Sequence, residues 1–296
     1  MSGSPVSRIH VCRRSSSSVR TSSNAASPAR SSLPAVPPRR SAPEILAAAG
    51  DLVVQRDAGR ASGRLLRHGD MDASYVDLAD PRHLEFDYLR RMRDLAEAVR
   101  ARRVIHVGGG ACALPRALAA ADRERRQEVV EVDADVLAFA REHLGLRRAP
   151  GLRVRHGDGR AFLETRRDGS ADAILVDAFV GARVPRHLVT AEALADAARV
   201  LAPGGALAVN VVDAPPLNDT RAIAAGLLEA FAVVAGLGAG PVLRGRRAGN
   251  VVLIGAHGAL PLERLRTRAS ADPSPAALLA PGDALAFTGG TPPWRD

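Results

Sequence analysis

From Arg103 onward, short apolar runs alternate with segments whose apolar residues recur every three or four positions. Runs "RVIHVGG", "EVVEVDA", "LRVRHGD", "ADAILVDAF" and "GALAVNVVD" read as strands. Between and after them, "ALPRALAAADRER", "DVLAFAREHLG", "GRAFLETRR", "TAEALADAARVL" and "TRAIAAGLLEAF" read as helices. Strands that are apolar throughout need cover on both faces, so the alternation predicts an α/β fold with a doubly wound, mostly parallel sheet. "AVVAGLG" and "NVVLIGA" follow with no helical segment between them and predict a closing hairpin. The sheet is then seven-stranded, with an antiparallel last strand.

Upstream the period changes. "DLVVQRD", "RASGRLLRHG" and "DASYVDL" are strand-like pieces parted by Gly and Asp, which predicts a small β-unit over residues 51–78. Residues 44–49 read as a short helix or linker. In "DPRHLEFDYLRRMRDLAEAV", Leu84, Tyr88, Met92 and Leu95 share helical spacing and predict a helix leading into the main domain. The expected organisation is a disordered Ser/Pro/Arg-rich tail over 1–43, a β-unit with its connecting helix over 44–100, a nucleotide-binding domain over 101–260, and an irregular extension over 261–296.

Composition changes this picture little. The chain has 296 residues, 46% of them hydrophobic but only 3% aromatic, so its core must be built from Ala, Val and Leu. All 41 basic residues are Arg, a bias that weakens composition as functional evidence. Of the net charge of +9, the acid-free first 43 residues carry +7. The folded part is therefore nearly neutral, and a nucleic-acid partner is not indicated. Arg125-Arg126, Arg147-Arg148 and Arg166-Arg167 fall near predicted helix C-termini, where cations suit the helix dipole. Cys12 and Cys112 form no disulfide framework, which points to a reducing, cytoplasmic setting. No run reaches the roughly 18 apolar residues of a membrane helix, so no membrane partner is expected. No His, Cys or acid spacing suggests a metal.

Chemistry collects at the carboxyl ends of the predicted strands, where such sheets bind ligands. After the first lie Gly108, Gly109 and Gly110, which permit positive φ and a close backbone approach ahead of a helix N-terminus. After the second lies Glu131, an acid able to accept both hydroxyls of a ribose. After the third, Asp158 and Gly159 stand where an acid can receive an adenine amino group. Asp177 ends the fourth. Together they predict an adenosine-type ligand. Gly108-x-Gly110-x-x-Ala113 also fits a dinucleotide fingerprint. Against that, "VLAPGGALAVN" resembles the turn before the fifth strand of S-adenosylmethionine-dependent transferases, and the reversed last strand matches their sheet.

"SYVDLADPRHLEFDYLRRM", "VIHVGGG", "VVEVDADVLAFAR", "HGDGRAFL" and "DAILVDAF" together resemble the spermidine synthase-like family, over residues 51–258. The resemblance implies a methyltransferase-like sheet behind a small β-unit. It also implies a transferase of polyamine biosynthesis type that uses S-adenosylmethionine or its decarboxylated form, without a metal. An aminopropyl or methyl group would move to a small amine or other nucleophile, and a homodimer fits the family. The alternative is a nucleotide-binding or regulatory protein of the same fold with impaired catalysis. By position, Gly108 and Gly110 would face the sulfonium side chain, Glu131 the ribose, and Asp158 and Gly159 the adenine. Asp177 would match the amine-activating aspartate and Tyr75 the substrate-site tyrosine. Cys112 and His106 read as packing residues. The sequence departs from the family at Ala111, where the synthases carry an acid, at Val180, where they carry a second acid, and at Val76, where they carry a His. Each departure removes a polar group that would hold a cationic substrate or the cofactor's amine.

Overall fold

Four short strands, β1 (Ile45–Ala49), β2 (Leu52–Arg56), β3 (Gly63–His68) and β4 (Met71–Asp77), pair in chain order into an antiparallel sheet. The computed structural model describes residues 43–147 and 151–296, so the tail expected over 1–43 lies outside them except for Pro43. Residues 44–49, expected as a short helix or linker, include the edge strand β1. Its side chains are mostly exposed. It is held by backbone pairing with β2 and carries no alternating apolar face that would mark it as a strand.

Helix α1 (Asp87–Ala98) starts later than the spacing from Leu84 suggests. Asp77 Oδ1 accepts from the N–H groups of Ala79 and Asp80 at 2.9 and 3.1 Å and turns the chain there. Leu84 is buried ahead of the helix.

The main domain runs β5 (Arg103–Val107), α2 (Ala113–Ala121), β6 (Arg126–Glu131), α3 (Ala134–His143), β7 (Leu152–His156), α4 (Gly159–Glu164) and β8 (Ala171–Val176). After a 3₁₀ turn (Arg186–Leu188) come α5 (Ala191–Val200), β9 (Leu201–Asp213), α6 (Asn218–Ala230), β10 (Val233–Gly238), α7 (Gly240–Leu243) and β11 (Gly249–Ala256). The sheet order is β12-β10-β11-β9-β8-β5-β6-β7, where β12 is Ala277–Leu279. Strands β5 to β9 are parallel. The expected hairpin is β10–β11, although the one-turn α7 interrupts it, and β11 inserts antiparallel between β9 and β10. The sheet has eight strands, not the expected seven, because β12 adds to its edge.

β12 belongs to the segment expected to be irregular, which also holds α8 (Leu262–Ala271) and α9 (Pro281–Thr288). Its periodicity is weak because α8 buries only Leu265 and Ala269. Long-range ion pairs fix it to α1: Arg90 forks onto Asp272 at 2.7 and 2.8 Å, and Arg268 reaches Asp94 at 2.9 Å.

Two apolar layers flank the main sheet. One, around Met92, Leu95, Leu118 and Leu137, joins α1, α2 and α3 to the N-terminal sheet. The other, around Ile174, Leu194, Leu207 and Ile223, lies under α5 and α6. The chain runs outward from β5 to β7 and then returns to β8 on the other side of β5. That reversal opens a crevice at the carboxyl ends of β5 and β8, where open α/β sheets take their ligands.

Candidate active site

The crevice is built by glycines that leave no room for a side chain. At Gly108 (φ +83°) a Cβ would lie 2.2 Å from the Asp177 carbonyl oxygen, and at Gly109 it would lie 2.7 Å from Val129 Cγ1. The Asp177 N–H donates to the Val107 carbonyl at 2.8 Å, so the ends of β5 and β8 are fastened together. Glu131, at the end of β6, is 9% exposed and closes the loop from the other side. Its Oε2 accepts from the N–H groups of Gly109 and Gly110 at 2.7 and 2.9 Å, and its Oε1 from Asp133 N–H at 3.0 Å. A carboxylate offers about four lone-pair sites. Three are used here, by Gly109, Gly110 and Asp133.

Asp158 caps α4, accepting from Ala161 N–H at 2.9 Å through Oδ1, while Oδ2 pairs with His187 Nε2 at 2.8 Å. Burial pushes the Asp158 pKa up, but the Ala161 N–H and His187 outweigh it and the net shift is downward. At Gly159 a Cβ would lie 2.3 Å from Val107 Cγ1, so this glycine is required by packing.

Asp177 is a perturbed carboxyl facing the crevice. Burial raises its pKa to about 6 against hydrogen bonds from Asn210 and Tyr88, and the nearby Glu131 charge adds to the rise. Asn210 Nδ2 donates to Asp177 Oδ1 at 2.9 Å, and Asn250 Nδ2 donates to Asn210 Oδ1 at 3.1 Å. Beside Asp177 lies a cavity of about 60 Å³, walled by Ser74, Tyr88, Met92, His106 and Phe179.

Tyr75 does not line this cavity. Its hydroxyl donates to Asp57 at 2.9 Å within the N-terminal sheet, and its ring packs edge-on against His83. The tyrosine that reaches Asp177 is Tyr88, in the first turn of α1. Its place on the apolar stripe of that helix hid its role. Asn210 left a clearer trace, as the one polar residue within the buried run "ALAVNVV".

Cys112 is buried in a left-handed conformation (φ 58°), and burial pushes its thiol up to about 12, as for a packing residue. His106 is buried against Gln127 Oε1 at 2.9 Å, and desolvation lowers its pKa to about 4, so it is neutral. Ala111 is fully buried and its N–H donates to Ser74 Oγ at 3.3 Å. Val180 is 72% exposed. Among the described residues no cluster of His, Cys, Asp or Glu is placed to hold a metal, and no helix is long and apolar enough to cross a membrane.

The methyltransferase small domain family matches residues 90–236. A probable spermidine synthase from Corynebacterium glutamicum superposes with a TM-score of 0.76 at 30% identity, over 83% of this chain and 93% of that one. Spermidine synthase from Thermotoga maritima shares the fold, with a TM-score of 0.58 at 15% identity over 85% of this chain and 81% of that one. The polyamine aminopropyltransferase of Vibrio vulnificus is 30% identical over 148 residues, 49% of this chain and 49% of that enzyme. The chain thus matches about half the length of that curated relative. Sheet order, glycine loop and strand-end acids define a protein with the methyltransferase fold. Within that class, the chain belongs to the spermidine synthase-like family.

Proposed function

We propose that this chain is a transferase that binds a sulfonium nucleoside, S-adenosylmethionine or its decarboxylated form. Gly108–Gly110, Glu131 and Asp158–Gly159 would hold it. The acceptor is a small amine or related nucleophile placed by Asp177. The observation that carries this reading is the Asp177 carboxyl, with a pKa near 6, beside a cavity under the glycine loop.

The residues fit such a nucleoside. The loop brings backbone close to the crevice, Glu131 keeps one acceptor site, and Asp158 is ionised. The bound nucleoside supplies a carbon attached to a sulfonium, so the leaving sulfur departs as a neutral thioether and needs no acid. The chain's task is to position the nucleophile and remove its proton. Asn210 and Tyr88 orient the Asp177 carboxylate. Above about pH 6 it is ionised. It can then accept the proton that the nitrogen sheds as its lone pair forms the new bond to carbon.

The acceptor end carries one acid, Asp177. The rest of the cavity is walled by Leu89, Met92, Leu175 and Phe179 together with the uncharged Ser74, Tyr88 and His106, and Val180 stands exposed where the family's second acid would be. A second ammonium group would lose hydration there without compensation, which favours an acceptor with a single cationic end.

Titration of the purified protein with S-adenosylmethionine, decarboxylated S-adenosylmethionine and methylthioadenosine tests the reading. Mass-spectrometric turnover with a panel of mono- and diamines then follows. Binding of methylthioadenosine, and turnover lowered about 10²-fold or more by Asp177→Asn, are expected. Failure of all three nucleosides to bind would overturn it.

A further inference from the structure

At the opposite, amino-terminal ends of β5, β6 and β7 lies a second cleft, of about 910 Å³. It exists because α4 is short. Six helical residues span about 9 Å, against about 17 Å for a five-residue strand, so the starts of the strands stay uncovered on that face. Arg153 on β7 is correspondingly exposed. Into this opening project Arg103, Arg126, Arg153, Arg166 and Arg167, with Glu128 as the acid in the wall. Sequence position had explained Arg126, Arg166 and Arg167 as helix-terminal charges. The fold gathers them instead with two strand arginines around one concavity.

The arginines fall into two groups. Arg103 is held by Asp172, and Arg166 lies 3.6 Å from Glu128, which also faces Arg155 at 3.3 Å. Arg126, Arg153 and Arg167 have no carboxylate partner among the described residues. Three buried polar atoms of the lining lack a hydrogen-bond partner: the donors Arg166 Nε and Ser170 Oγ, and the acceptor Glu128 Oε2, which faces Arg155. A concave wall with a surplus of guanidinium groups and unused donors concentrates field and suits an anion with several oxygens.

We propose that this cleft binds a multiply charged phosphate chain, carried by a nucleotide or free as inorganic polyphosphate. Arg126, Arg153 and Arg167 supply the ionic contacts and Ser170 a neutral donor. Planar guanidinium forks match phosphate oxygens two at a time, and the volume admits a group of nucleotide size. The site is separate from the crevice at the carboxyl ends and does not depend on the function proposed for it.

Calorimetric titration of the full chain with tripolyphosphate and with ATP, at about 0.15 M salt, tests the proposal. Saturable binding is expected, weakened at least about tenfold by R126A/R153A/R167A, with melting temperature unchanged. Arg126→Gln, Arg153→Gln and Arg167→Gln singly serve if the triple variant melts early, each weakening binding severalfold. Equal affinity for both probes assigns the site to the phosphate chain alone, and tighter binding of ATP assigns it to a nucleotide. Absence of saturable binding overturns the proposal. So does affinity unchanged in the variants, which would place the phosphate elsewhere, as on the arginines of residues 8–40.

Discussion

Asn210 Nδ2 lies 2.9 Å from Asp177 Oδ1 and fixes the carboxylate that ends β8 from the neighbouring strand β9. Asn210 is fully buried and is itself oriented by Asn250. The carboxylate facing the crevice is thus set from inside the sheet. Asn210→Ala should lower turnover while leaving nucleoside affinity within a few-fold of wild type, which turnover and binding assays on the same preparation check.

Asp177→Asn should reduce turnover by about 10²-fold or more, the usual range for a lost general base. In the wild type the rate should rise with pH through about 6. Stability should run the other way. A carboxyl whose folded pKa is raised favours the native state at low pH, and this contribution is lost as pH rises through the folded pKa. The melting temperature of Asp177→Asn relative to wild type should therefore increase between about pH 4 and pH 7. A difference that stays constant across that window would show that Asp177 is not perturbed.

The two tyrosines should separate. Tyr88→Phe removes a hydrogen bond that lowers the Asp177 pKa, so the acid limb of the rate profile should move to higher pH. Tyr75→Phe should leave that profile in place and cost about 1 kcal/mol of stability through the lost bond to Asp57. Denaturant melts and pH–rate curves on both variants distinguish them.

Glu131→Ala should weaken methylthioadenosine binding by roughly 1.5–3 kcal/mol and destabilise the apo protein, because the Gly109 and Gly110 N–H groups lose their charged acceptor. Glu131→Gln should not rescue fully, since its NH₂ replaces one acceptor oxygen by a donor and leaves at least one of the three N–H groups unpaired. An unchanged dissociation constant in Glu131→Ala would remove Glu131 from the nucleoside site.

At Ala111 no charge is present to attract the aminopropyl amine or repel the carboxylate of intact S-adenosylmethionine. Preference for the decarboxylated form should be weak or reversed. Because Ala111 is fully buried, Ala111→Asp should lower the melting temperature while shifting preference toward the decarboxylated form by about tenfold, or ~1.4 kcal/mol. A hundredfold preference of the wild type for the decarboxylated form would overturn this prediction.

Much of the architecture is written in periodicity. The parallel strands β5, β6, β8 and β9 are buried over most of their length, and only the edge strand β7 is largely exposed; the acids and glycines of the crevice sit where these strands end. Asp177, Glu131 and the glycine loop were accordingly legible. What escaped was set by tertiary contact. Strand β1 and the segment from α8 to α9 carry little apolar pattern, since backbone pairing and ion pairs such as Arg90–Asp272 hold them. Tyr88 sits on a helical stripe that looks like core until β8 is placed beside it. Spacing alone could not tell it from Tyr75. The arginine cleft is invisible in the sequence because its members come from four separate elements or their ends.

The missing side chain at Gly108 lets the end of β5 lie against the Asp177 backbone, so the glycine loop and the Asp177 carboxylate share one mount. Their separation cannot drift without breaking the sheet. Under the function proposed here, diversification would proceed by repainting the walls around Asp177, at Tyr88, Met92 and Phe179, rather than by moving the loop or the carboxylate. An exchange of acceptors could then be engineered on an unaltered backbone, with the nucleoside half of the reaction carried along unchanged.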